Sequence, residues 1–285
     1  MSGEVEYNRI TFAVGEPQLR ALWHEAFGDR NEYIDEFFEA FDADSVLHTL
    51  SHDGKLLSAL YALPYELHAG GHCKKVAYIY AVATVSSARG RGYMSRLFSI
   101  VHENLRREGF AAAFLLPAED WLWNYYSHLG YEVCSWRCCE CVATESMLEV
   151  CDVECCHTIA TDVLAYVREQ MLLGVDNIVH SDASIKLNVA NCVLSGGGLY
   201  VARSANRVVG AAFVVFRNSV PLIAGILGND DNARVSLLSA IGRCYGSSSL
   251  YLLQSSGASG EPMAMLLSFD KTLPERINMQ LMLDI

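Results

Sequence analysis

Apolar residues recur along the chain at two spacings, and the alternation between them lays out the elements. Residues 6–12 read as a short strand. Residues 17–27 are predicted as a helix, with Pro17 at its start and Leu19, Leu22, Trp23 and Phe27 on one face. Asn31 is placed to cap a second helix, in which Tyr33, Ile34, Phe37, Phe38 and Phe41 repeat at helical spacing. Residues 45–51 and 56–67 read as strands joined by a hairpin turn at His52-Asp53-Gly54-Lys55. After a turn at 69–72, residues 76–85 carry no charge, as expected of a strand buried on both faces. A helix is predicted from about Tyr93 to Gly109, with the stripe Met94, Leu97, Phe98, Val101 and Leu105. An uncharged strand (110–116), an aromatic helix (120–129, closed by Gly130) and a strand (131–142) complete this half.

Residues 145–158 read as a joint. Two helices follow, at 161–173 and 183–194, then Gly196-Gly197-Gly198. Strands at 199–203, 208–216 and 220–227 form a meander that turns at 204–207 and at Asn218-Ser219. A helix (230–242) and a strand (249–253) close the pattern. Two helices, three strands, a helix and a strand occur in this order in both halves. That is an internal duplication of architecture with little letter-by-letter identity. The expected domains are 1–146 and 147–285, and the expected class is α+β (α/β), with a mixed central sheet and flanking helices.

Composition narrows the function. A chain of 285 residues with 52% hydrophobic and 19% charged residues can bury a core, which excludes wholesale disorder. No apolar run approaches the ~18 residues of a membrane span, and the first residues lack the pattern of a secretory signal. A cytoplasmic protein with reduced thiols and no membrane partner is expected. Lys plus Arg number 21 and Asp plus Glu 33, a net charge of −12. Such a surface repels a phosphate backbone, so no nucleic-acid partner is expected, and it attracts cationic molecules, amines included. Seven of the ten cysteines lie between Cys134 and Cys156, near His157. Zinc sites ordinarily use two separated cysteine pairs bounding a turn. Here Cys138-Cys139 and Cys155-Cys156 are adjacent residues that point to opposite faces of a strand, so no metal is expected.

Ser86-Ser87-Ala88-Arg89-Gly90-Arg91-Gly92 joins the uncharged strand to the helix start at Tyr93. Glycines let backbone N–H groups approach a ligand, and the first helical turn adds unpaired donors and the positive end of the dipole. Together with Arg89 and Arg91 they form a cradle suited to a pyrophosphate. A dinucleotide-binding loop would need a third glycine and would follow the first strand of its unit. The third glycine is absent, and this loop follows the end of a meander. The alternative reading of the same residues is a tight turn with solvated arginines.

The stretch Val82-Ala83-Thr84-Val85-Ser86-Ser87-Ala88-Arg89-Gly90-Arg91-Gly92-Tyr93-Met94 resembles the acetyl-CoA motif of the GCN5-related N-acetyltransferases (GNAT). Arg89 and Gly92 match its pattern, and Met94 departs from it where Gly or Ala is usual. Tyr126-Ser127-His128-Leu129-Gly130-Tyr131 resembles a second family segment, Tyr-x-x-x-Gly-Phe. The resemblance covers about residues 1–140. The whole chain is similar to the subgroup with two GNAT-like domains in tandem, the Eis type, without the third domain usual there.

The resemblance implies acetyl-CoA as co-substrate and an amine acceptor, a small molecule or a peptide, which attacks the thioester directly in a ternary complex. It implies that backbone groups of Val82, Ala83 and Thr84 pair with the pantetheine arm. Arg89, Gly90, Arg91, Gly92, Tyr93 and Met94 would hold the pyrophosphate, and Tyr126 would protonate the departing thiolate. An ordinary phenol, with a pKa of ~10, is protonated at neutral pH and able to do so. In Eis-type proteins the C-terminal carboxylate enters the active site, which here would be that of Ile285. The second half has Gly228-Asn229-Asp230-Asp231-Asn232 at the corresponding junction, where aspartates would repel phosphate. It is expected to be a degenerate GNAT-like partner, and a homo-oligomer is compatible with the sequence. Two other functions fit the residues: a non-catalytic acyl-CoA sensor with this fold, and a metal-binding regulator built on the cysteines.

Overall fold

The computed structural model describes residues 4–10, 17–41, 46–144, 150–228, 230–256 and 260–280. The first half comprises β1 (Val5–Ile10), α1 (Pro17–Phe27), α2 (Asn31–Phe41), β2 (Val46–His52), β3 (Lys55–Ala69) and β4 (His72–Thr84), then α3 (Tyr93–Arg107), β5 (Ala112–Leu115), α4 (Asp120–His128) and β6 (Glu132–Ala143). The second half comprises β7 (Asp152–Cys156), α5 (Thr161–Leu173), β8 (Asn177–Val179), α6 (Asp182–Leu194), β9 (Gly198–Ser204), β10 (Arg207–Arg217) and β11 (Val220–Gly228), then α7 (Asp231–Tyr245), β12 (Ser249–Ser256) and β13 (Glu261–Ser268). None of the helices among the described residues is long and apolar enough to cross a membrane.

The chain divides into two units, Met1–Cys134 with Ala264–Glu275 and Ser135–Met263 with Arg276–Ile285. In the first unit, β1, β2, β3 and β4 pair antiparallel in that order, β5 joins β4 in parallel, and β13 joins β5 antiparallel. In the second, β7, β9, β10 and β11 pair antiparallel, β12 joins β11 in parallel, and β6 joins β12 antiparallel. The two sets of six strands share one plan, in which one neighbouring pair is parallel.

Strand pairing also explains why these units differ from a division at 146/147. Trp136 to Ala143 of β6 align along Ser256 to Ser249 of β12. Met265 to Ser268 of β13 align along Leu115 to Ala112 of β5. Each sheet therefore takes its sixth strand from the other half of the sequence, a non-local pairing that apolar periodicity does not encode.

Alternation along the strands separates two packed faces in each unit. In the first, Ala77 and Ile79 of β4 pack with Phe98 and Val101 of α3 and with Leu60 of β3. Tyr80 and Tyr61 point the other way, to an aromatic layer where Phe37 of α2 lies 4.9 Å from Trp23 and 5.3 Å from Tyr80, centroid to centroid. In the second, Ala211, Phe213 and Val215 of β10 pack with α5 and α6, and Ala212 and Val214 pack with α7.

Several expectations need correction. Phe27 is 42% exposed, so the buried face of α1 is Leu19, Leu22 and Trp23. Residues 145–158 were expected to be a joint: 145–149 lie outside the described residues, and 152–156 form β7, three of whose residues are exposed, with no clean alternation. Strands β8 and β13 were not anticipated. The former has only three residues, and the latter begins Glu261-Pro262, where proline lacks the N–H that a strand ladder uses.

Three buried histidines are held neutral. His102 Nε2 lies 2.9 Å from the Tyr131 hydroxyl, and burial, aided by Arg106, lowers its pKa to about 4. His180 bonds Ser184 Oγ at 2.8 Å and donates to the Gln280 carbonyl at 2.7 Å, and burial lowers it to about 4. His48 sits 2.8 Å from the Tyr7 hydroxyl, and burial with Arg9 lowers it to about 3. The unfolded chain therefore binds more protons than the folded one below pH ~6.5, so stability is full above that value and falls as the pH drops. Between pH ~6.5 and ~5 the loss should be on the order of 1–2 kcal/mol per histidine. Thermal unfolding should show a midpoint that falls across this window, with a shallower slope in His102→Gln. A midpoint independent of pH there would contradict the assignment.

Candidate active site

The site is built where β4 outruns β5. Their parallel ladder extends only from Val76↔Ala112 to Tyr78↔Phe114, and β4 continues six residues further, to Thr84. On its other side β4 stays paired with β3, but the register shifts between Tyr61↔Tyr80 and Ala59↔Ala83. Ala81 and Val82 thus oppose the single residue Leu60, and Ala81 has φ 48°. A left-handed alanine costs ~1 kcal/mol, and such bulges re-aim the residues that follow. Of the predicted strand-end residues, Ala83 is buried, Val82 and Thr84 are half-buried, and Thr84 Oγ1 bonds Ser58 Oγ at 2.9 Å.

The loop after β4 turns through Ser86–Ala88, one turn of 3-10 helix, into Arg89. Gly90 and Gly92 have φ 73° and 75°, a region that favours glycine. A Cβ at either would meet no atom within 4 Å, so both face open space. Gly92 is the N-cap of α3 and has no side chain to bond the first-turn N–H groups. Arg91 is exposed, and so is Arg89, whose Nε donates to the Thr84 carbonyl at 3.0 Å. Tyr93 and Met94 are half-buried and pack on the core under α3. Val82 to Met94 thus run from the end of β4 through the loop into the first turn of α3.

One contributor was not legible in the sequence. Glu25 of α1 accepts a hydrogen bond from the Ser86 backbone N–H at 2.7 Å and lies 3.5 Å from Arg89 Nη2. Its carboxylate ties the loop and its arginine to α1 across 61 residues of sequence. A glutamate on the polar face of a helix carries no signal of such a role.

Tyr126 of α4 is 5% exposed, with its ring against Phe98 of α3 at 5.8 Å and Tyr131 at 6.0 Å. Tyr125 was expected to point to the core, yet it is the more exposed of the two. Its hydroxyl lies 3.2 Å from Ser95 Oγ, in the first turn of α3, and burial raises its pKa. The 100° step between adjacent helical residues places one ring under α3 and the other along its start. Residues 281–285, and with them the Ile285 carboxylate, lie outside the described residues.

The second unit treats the equivalent junction differently. The Asp230 side chain accepts from the Ala233 N–H at 2.8 Å and caps α7. A carboxylate thus occupies the place that the first unit leaves open. The ten cysteines are all free thiols. Those of 134–156 are dispersed: burial pushes Cys134 up to about 12, while Cys138, Cys139 and Cys141 are exposed along β6.

Residues 13–134 match the family model described as an acetyltransferase (GNAT) domain. Solved structures share the fold over nearly the whole chain. A probable N-acyltransferase from Enterococcus faecalis V583, a conserved protein of unknown function, has a TM-score of 0.75 at 16% identity, covering 92% of this chain and 72% of that one. A GCN5-related N-acetyltransferase from Kribbella flavida gives 0.69 at 16%, with 92% and 71% covered. Eis1 from Mycobacterium abscessus gives 0.64 at 12%, with 93% and 74% covered. A search of curated protein sequences returns no match. The family match lies within the first unit, at residues 13–134, and the likeness to the solved structures, at 12–16% identity, is one of fold.

Removing the Glu25 carboxylate should loosen the loop. In Glu25→Ala the Ser86 N–H loses its acceptor, a charge-assisted bond of ~1.5 kcal/mol. Amide exchange at Ser86 should quicken roughly tenfold while the sheet amides keep their protection. Unchanged exchange at Ser86 would show that the loop holds without α1.

Proposed function

We propose that this protein transfers an acetyl group from acetyl-CoA to an amine in a ternary complex. The observation that carries the reading is the open, uncapped loop at Gly90 and Gly92. Its geometry fits a pyrophosphate: two left-handed glycines, the free first turn of α3 and two exposed arginines, in a chain of net charge −12. Bound acetyl-CoA supplies an activated thioester carbonyl. The N–H groups from Gly90 to Met94 bind the phosphates, with Arg89 and Arg91 adding charge. Backbone groups of Val82, Ala83 and Thr84, past the end of the β4–β5 ladder, pair with the pantetheine arm. Tyr126 gives its hydroxyl proton to the departing sulfur. The acidic surface favours a cationic acceptor, a small-molecule or peptide amine, in a cytoplasmic setting.

A second assignment of the acid has one observation in its favour. Tyr125 is the more exposed tyrosine, and its hydroxyl contacts Ser95 beside the loop. Phenylalanine at each position separates the two. Turnover of acetyl-CoA against a panel of amines, followed by free-thiol release, should fall ~10²-fold in Tyr126→Phe with acetyl-CoA affinity kept. Tyr125→Phe should stay within a few-fold of wild type. The reverse pattern would move the acid to Tyr125, and absence of turnover on every amine would favour a sensor.

Donor binding is predicted to be one site per chain. Calorimetry with CoA should give a single site, lost in Gly92→Asp because the new carboxylate stands against the pyrophosphate. The left-handed φ of Gly92 adds a folding cost of ~1–2 kcal/mol in that variant. Two equivalent sites, or wild-type affinity in Gly92→Asp, would contradict the reading.

A further inference from the structure

The hairpin between β3 and β4 carries a second cluster of reactive side chains. Glu66 and His68 lie two residues apart on β3, and Cys73 pairs with His68 across the ladder. Both relations put side chains on the same face of a sheet. Gly70 and Gly71, at φ 56° and 77°, make the turn that holds this register. One ligand atom from each of the three side chains lies within 4.8 Å of the others. His68 Nε2 is 3.6 Å from Glu66 Oε2, is shielded from solvent and has no hydrogen-bond partner. The neighbouring cations are engaged elsewhere. Lys75, opposite Glu66, places Nζ 4.0 Å from the centroid of the Phe110 ring, and Lys74, on the other face, pairs with Asp270.

We propose that Glu66, His68 and Cys73 form a zinc site that clamps the end of the β3–β4 hairpin. A thiolate, an imidazole nitrogen and a carboxylate oxygen are the donor types zinc takes. Bonds of about 2.0–2.3 Å at tetrahedral angles set ligand atoms about 3.4–3.6 Å apart. The Glu66 and His68 atoms already have that spacing, and the exposed side chains of Glu66 and Cys73 can close the rest by rotation. Zinc binding displaces the Cys73 proton to solvent, and water completes the fourth position. Cys73 precedes Thr84 by eleven residues of one strand, ~36 Å at the usual rise, so the site is remote from the donor loop. The expectation of no metal rested on the spacing of the 134–156 cysteines, and this site uses none of them.

The test is zinc binding by the full chain, untagged and reduced, measured by competition with a chromophoric chelator and by cobalt(II) replacement. One zinc per chain is expected, with a thiolate-to-cobalt charge-transfer band. Cys73→Ser should lose the band, and both Cys73→Ser and His68→Ala should bind zinc more than ~10-fold more weakly. The triple variant Cys138→Ser, Cys139→Ser, Cys141→Ser should match wild type in both readouts. Circular dichroism with excess chelator shows whether each variant is folded. Failure of the wild type to bind zinc, wild-type affinity in folded Cys73→Ser, or loss confined to the triple variant would overturn the proposal. None of these readouts depends on acetyl transfer.

Discussion

Parallel pairing between β4 and β5 stops after three residues, and the first unit is organised around that stop. Its last pair, Tyr78 and Phe114, stack at 4.9 Å with their planes 5° apart. Beyond them β5 ends at Leu115, while β4 continues to Thr84 through the bulge at Ala81. The chain must then cross from the end of β4 back to the start of β5, and a helix packed on the sheet makes the connection. The helix therefore begins beside strand ends that have parted, where open α/β sheets take their ligands. Gly90 and Gly92 make the reversal sharp enough for α3 to start there, and Glu25 holds the first turn of the loop in place.

The second unit repeats the constraint and reaches a different outcome. Its parallel ladder is shorter still, Leu222↔Tyr251 and Ile223↔Leu252, and β11 likewise runs on, to Gly228. The helix that follows is capped by the Asp230 carboxylate. One side chain thus satisfies the Ala233 N–H and sets a negative charge at the start of that helix. The same junction is left without a side-chain cap at Gly92 in one unit and is capped by a carboxylate in the other, so the two differ in local sequence and not in strand order.

What could be read from the sequence was local. Helical spacing placed α1 to α7 to within a few residues, because each helix buries one stripe. The turn at Asp53-Gly54 and the glycine loop were legible because positive φ demands particular residues. The exchange of β6 and β13 was not, since both are ordinary strands whose partners lie more than 100 residues away in the chain. Tyr125 and Tyr126 were told apart by family spacing, which marks a position but not which ring lies under α3. Glu25, and the pairing of His68 with Cys73, depend on contacts that periodicity does not record.

The central claim is that Gly90, Gly92 and the first turn of α3 form the donor's phosphate site. Backbone amide shifts followed by NMR during a CoA titration test it most directly. The account predicts the largest changes at the N–H groups from Gly90 to Ser95, with Ala233 and its neighbours in α7 unmoved. Changes centred on α7, or spread evenly over both units without a maximum at this loop, would contradict it.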